Sequence, residues 1–242
     1  MNSRRACLLL GAVASTFLAI LAGCSKPTSY GGITPLNDPP KTPEAIGSRN
    51  NLKQFGLGMH AHHDAFGHFP TPGRRDDQKK TASLATITQL SWRVQLLPFI
   101  EQSDLYNLIQ EHLQRTGRLP DSVAKTTIEM YAHARLRPTP ETNYRVFVGN
   151  GAAFDPVNPI RFADFVDGTS NTILIVEAAE PVNWTSPEEL LYDPKGTLPK
   201  LGIFDGGFHA LMADGSVRWI PSDTPEAMIR AMITRAGGEK LT

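Results

Sequence analysis

The chain has 242 residues, with 24 basic side chains against 24 acidic ones, and therefore carries no net charge. No basic run or basic excess is present, which excludes the phosphate-neutralising surface that nucleic-acid binding requires. Its only cysteines are Cys7 and Cys24, so a disulfide framework or thiolate cluster is excluded and stability must come from an apolar core.

The N-terminus reads as an export signal over residues 1–23. Arg4 and Arg5 form a positive start, and residues 6–22 hold no charge. A basic start, a short apolar stretch and small residues before a cut site define a secretory leader. A membrane-spanning helix needs about 20 predominantly apolar residues, and this run is shorter and interrupted by Ser15 and Thr16. It ends in Leu21-Ala22-Gly23-Cys24. A thiolate is the side chain nucleophilic enough to be alkylated near neutral pH, and Ala22 and Gly23 are small enough for an extended backbone to enter a peptidase. This tetrapeptide resembles the bacterial lipobox, which implies cleavage before Cys24 and lipid attachment at Cys24. One acyl chain binds a bilayer only marginally, so stable tethering takes two or three on the same residue. The expected location is a membrane surface, on the periplasmic or cell-surface side.

Loss of Arg4 and Arg5 with the leader leaves 22 basic and 24 acidic residues. Residues 24–41 contain Pro27, Pro35, Pro39 and Pro40 with Gly31 and Gly32, the composition of a tether. Residues 42–242 are expected to form one domain.

Three segments share a helix-start pattern: Thr42-Pro43-Glu44, Ser186-Pro187-Glu188-Glu189 and Thr224-Pro225-Glu226. Each places a hydroxyl at the N-cap, Pro at the first helical position and an acid in the first turn. Ser186 with Glu189 also has the spacing of a capping box. The first helix is predicted over about 43–66, burying Leu52, Phe55, Met59, His62 and Phe66 along one stripe. Gly56 and Gly58 weaken it by about 1 kcal/mol each relative to Ala, unless they let a neighbouring element approach. Residues 91–114 are predicted as two short helices broken near Pro98. A last helix, over 225–235, buries Ile229, Met232 and Ile233 and stops at Gly237-Gly238.

Strands are predicted at 144–148, at 173–177 and within 208–220, from their β-branched and aromatic content. In the last, Asp214-Gly215 separates two apolar runs and predicts a type I′ hairpin. The expected class is α+β, with a long N-terminal helix packed on an antiparallel sheet and extra short helices.

Five blocks then resemble a domain-of-unknown-function family abundant in planctomycetes. They are Asn50-Asn51-Leu52-Lys53-Gln54-Phe55-Gly56-Leu57 with His60, His63 and Asp64; Ser91-Trp92-Arg93-Val94-Gln95-Leu96; Thr142-Asn143-Tyr144-Arg145; Asp167-Gly168-Thr169-Ser170-Asn171-Thr172; and the closing run from Asp205 to Arg218. The resemblance implies a pseudopilin-like fold and no particular activity. Two departures stand out. The family's usual pilin-type apolar helix is replaced here by a lipid signal and tether, which argues against pilus polymerisation. Phe204 stands where the closing H-x9-DG signature has His.

Few residues offer chemistry. His60, His63 and Asp64 share one helix face, and neutral imidazoles with a carboxylate suit a metal; the spacing is no zincin motif, and bonding of the His residues to backbone explains them without one. Asp167-Gly168 and Asp214-Gly215 read as turns whose side chains bond their own backbone. Gly149-Asn150-Gly151 lacks the third Gly of a nucleotide loop, and Pro156 and Pro159 oppose a following helix. Trp92, Trp184 and Trp219 are candidates for a glycan site or, more simply, for packing. No cofactor is implied. The function expected is a lipid-anchored, non-enzymatic envelope protein acting on other envelope proteins. The alternatives are a sugar- or peptide-binding lipoprotein and a metal-dependent hydrolase.

Overall fold

The computed structural model describes residues 39–73, 90–132 and 139–238. The leader and Cys24 lie outside them. The first helix, α1, spans Pro43–Phe66 and begins as its sequence predicts: the Thr42 hydroxyl accepts from the Ala45 N–H at 3.2 Å. It ends at Gly67, whose φ of 75° lets its N–H return to the His63 carbonyl. Leu52, Phe55, Met59 and His62 are buried, each apolar one contributing about 1.5–3 kcal/mol. Phe66, the last residue of the expected stripe, is instead 57% exposed.

After α1 the chain forms α2 (Trp92–Leu96), a single 3₁₀ turn (Leu97–Phe99), α3 (Ser103–Thr116) and a short α4 (Asp121–Ala124). The break falls at Pro98, which lacks the N–H a continuous helix would use. Strands follow: β1 (Glu141–Arg145), β2 (Phe147–Val148), β3 (Ile173–Asn183), β4 (Leu190–Leu191), β5 (Gly207–Met212) and β6 (Val217–Pro221), closed by α5 (Glu226–Ile233). The main sheet has the order β1-β3-β5-β6 and is antiparallel throughout, while β2 and β4 form a separate parallel pair. The architecture is α+β, with the long helix on an antiparallel sheet.

The sheet is covered on both faces. Leu174, Ile175 and Leu211 pack with α1 and α2, while Val176, Phe208, Ala210 and Met212 pack with Met232 and Ile233 of α5. Strand alternation sends neighbouring side chains of β5 to opposite cores, so all six of its residues are buried. Gly56 is where α1 meets the β5–β6 hairpin: a Cβ there would stand 3.0 Å from Leu211 Cδ1 and 3.5 Å from Gly215 Cα. The glycine gives up helix propensity for close approach.

Two local expectations are corrected. The β5–β6 turn is not type I′, because Asp214 keeps a negative φ and only Gly215, at 84°, is left-handed. Gly215 N–H donates to Met212 O and Met212 N–H to Ser216 O, a type I turn closed by a glycine bulge. The Asp214 carboxylate favours this form by accepting from the Ser216 N–H at 2.8 Å. Secondly, Ser186-Pro187-Glu188 starts no helix. The segment has no regular structure and leads into β4: Ser186 Oγ accepts from the Glu188 N–H at 3.2 Å, and Glu189 is buried.

Glu189 meets Arg93 in the core at 2.8 Å, with side-chain exposures of 2% and 0%. Its carboxylate also accepts from Trp92 Nε1 and from the Val146 N–H, both at 2.9 Å. Arg93 donates further to Tyr144 O and Ser91 Oγ, and lies 4.6 Å over the Trp92 ring. Burial pushes the Glu189 carboxyl up from its ordinary range, and Arg93 opposes it. Removing one partner of such a pair strands a buried charge. We expect Arg93→Met to cost about 3–5 kcal/mol in urea denaturation. Adding Glu189→Gln to that variant should restore part of the loss, giving a less-than-additive double mutant.

Candidate functional site

The chemistry-bearing residues fall into four groups. The first is the histidine group at the end of α1. His60 Nε2 lies 2.9 Å from Ala213 O, so the ring donates to the hairpin that closes the sheet. His63 bonds elsewhere: its Nε2 accepts from the Phe162 N–H at 3.4 Å, and its ring packs 4.4 Å from Phe162. Asp64 is exposed. His60 and His63 both rest on the Phe69 and Phe162 rings but commit their ring nitrogens to different backbone groups, and among the described residues no three His, Cys, Asp or Glu side chains are grouped so that they could hold a metal ion.

His62 is buried between the rings of Phe66, His68 and Phe99, with Nδ1 3.0 Å from His68 O. Burial lowers its pKa to about 4, aided by His68 and His63 and opposed by the bond to the His68 carbonyl. His63 is also lowered, by burial first, with Asp64 opposing.

The second group lies between α1 and the sheet. Ser48 Oγ donates to Glu177 Oε1 and lies 2.8 Å from Tyr144 Oη. Asn51 Nδ2 donates to the same phenol at 3.3 Å. On the other side of the carboxylate, the His209 N–H donates to Glu177 Oε2 at 2.6 Å and His209 Nδ1 lies 3.2 Å from it. Burial pushes the Tyr144 phenol well above its ordinary value. Serine, carboxylate and histidine meet here in the wrong order for nucleophilic catalysis: the serine proton points at the carboxylate, with no imidazole to take it. Ser48, Glu177 and His209 are all buried, so the network joins α1 to β1, β3 and β5. A charged residue closing the apolar run Ile173-Leu174-Ile175-Val176 was the signal for it, since an isolated buried carboxylate demands partners.

The third group is the pair of predicted turns. Asp167 reaches well beyond its own turn: its carboxylate accepts from the N–H groups of Gly237 and Gly238 at 2.6 and 3.0 Å. Gly168 has the left-handed φ of 98° that its turn requires. Asp214 holds Ser216 through both its N–H and its hydroxyl.

The fourth is a groove of about 720 Å³ between residues 198–208 and 221–229. No tryptophan lines it. Trp184 is fully buried, donating to Thr126 O at 2.8 Å and stacking on Tyr131. Trp92 belongs to the Arg93 network, and Trp219 packs on His209. Gly149-Asn150-Gly151 forms a tight turn between β2 and Phe154, with Asn150 donating to Tyr192 O.

These features define an α+β domain with hydrogen-bonded polar networks inside and, among the described residues, a sizeable groove outside. A family model described as a protein of unknown function (DUF1559) matches residues 45–133 and 121–197. The two matches together span more than half of the chain, and the protein belongs to that family. No curated protein and no solved structure matches it.

The buried His62 yields a test. Its folded pKa of about 4 lies below the ordinary 6.5, so the unfolded chain binds the proton more readily. The stability tied to neutral His62 is whole above about pH 6.5 and is lost as pH falls through about 4. Asparagine retains a donor for His68 O and cannot titrate. Calorimetry from pH 7 to 4 should show Tm falling more steeply for wild type than for His62→Asn.

Proposed function

We propose that the protein is a lipid-anchored, extracytoplasmic domain that works through contacts with other envelope proteins and catalyses no reaction. The observation that carries this reading is the sequence Leu21-Ala22-Gly23-Cys24 behind an uncharged apolar run. The proline-rich stretch to Lys41 is suited to hold the domain clear of the bilayer. No helix of the described residues is long and apolar enough to cross a membrane. The interior supports the non-catalytic half of the reading. Ser48, Glu177, His209, Arg93 and Glu189 are buried and committed to one another or to backbone.

Two measurements test it. Mass spectrometry of the protein from its native membrane should find a mature chain starting at an acylated Cys24. A retained leader or a bare thiol would refute the anchor. Cross-linking in intact cells, followed by purification, should recover the same envelope protein in replicate experiments; consistent recovery of none would refute the interaction role.

A further inference from the structure

The groove contains an unfinished sheet edge. Val176 of β3 pairs with Ala210 of β5, but two residues further on Ala178 pairs with Leu201 instead. The chain between leaves the sheet and folds back on itself, with Phe204 bridging to Gly207. Lys200 O accepts from the Ala179 N–H at 3.0 Å, and the Gly202 N–H donates to Glu177 O at 2.8 Å. Those two bonds flank a non-bonded antiparallel position, so the N–H and C=O of Leu201 point away from β3. Neither has a partner among the hydrogen bonds of the described residues, and Leu201 lines the groove.

The opposite wall offers complementary features. Ile229, half-buried, gives it apolar surface. The Thr224 hydroxyl is shielded from solvent, makes no capping bond to α5 and has no partner among the described residues. Of the charged lining residues Glu226 is paired with Arg230, which leaves the exposed Asp205 as the acid open to a basic ligand group, with Lys200 beside it. Arg230 fixes the frame, joining Glu226 to the carbonyls of Asp193 and Gly196. A preformed groove loses little entropy on binding.

We infer that this groove takes an extended peptide segment by strand addition. One of its residues exchanges backbone hydrogen bonds with Leu201, a neighbouring apolar side chain rests on Ile229, and a basic side chain lies near Asp205. The inference rests on the reading that the protein acts through protein contacts, and it names the surface.

A displayed library of random short peptides, panned on the full chain in detergent, supplies the probes. Enriched sequences should alternate apolar residues and carry a basic one. Their affinity should fall about tenfold in Asp205→Lys and in Ile229→Arg, roughly a 1.4 kcal/mol change. Methylating one internal amide of the peptide should abolish binding, because it removes the donor for Leu201. Asp205 is exposed in a turn and makes no side-chain hydrogen bond among the described residues, so it decides the matter if circular dichroism shows Ile229→Arg unfolded. No enrichment, or affinities indifferent to both Asp205→Lys and amide methylation, would overturn the inference. Cross-linked envelope partners that persist undiminished in Asp205→Lys would overturn the groove alone and leave the interaction role standing.

Discussion

The guanidinium of Arg93 is buried completely, and much of the fold follows from satisfying it. Arg93 offers five N–H donors in a fixed fork and cannot discard its charge. The fork is met by Glu189, Tyr144 O and Ser91 Oγ, which draws the loop before β4, the end of β1 and the cap of α2 to one point. Tyr131 closes the assembly by donating to Arg93 O at 2.6 Å. A buried ion pair of this kind contributes little net stability compared with apolar packing, yet it tolerates only one arrangement of its neighbours. Its role is to select a geometry.

Tyr144 passes that geometry to the second network. Its carbonyl serves Arg93 while its hydroxyl serves Ser48 and Asn51 of α1. Ser48 continues to Glu177, and Glu177 to His209. Two buried carboxylates are thus answered through one tyrosine, and the long helix is registered on the sheet by hydrogen bonds as well as by Leu52, Phe55 and Met59. Histidines at the other end of α1 extend the same device: His60 and His63 bond to the hairpin and to the Phe162 turn.

Local signals were legible wherever the physics was local. Thr42 and Gly67 bound α1 through caps made within a few residues, and Pro98 breaks the following helix by its missing N–H. The position of the β5–β6 hairpin was readable from Asp214-Gly215, though its turn type depends on the bond from Ser216 to Asp214. Ser186-Pro187-Glu188-Glu189 misleads for a different reason. Its letters fit a helix start, but Arg93, far away in sequence, requires Glu189 more than a local cap does. The same limit applies to Thr224, which stands at a helix start and caps nothing. The groove was illegible because it arises from the mismatch of two strand pairings, which no short segment encodes.

The early placement of Ser48 has a mechanical corollary. Tension applied to the chain at Lys41 would enter α1 at its first turn and reach, within six residues, the bonds from Ser48 to Glu177 and Tyr144. Those bonds tie the helix to the central strand β3 and to its neighbour β1, so the force passes into the sheet instead of peeling the helix from its end.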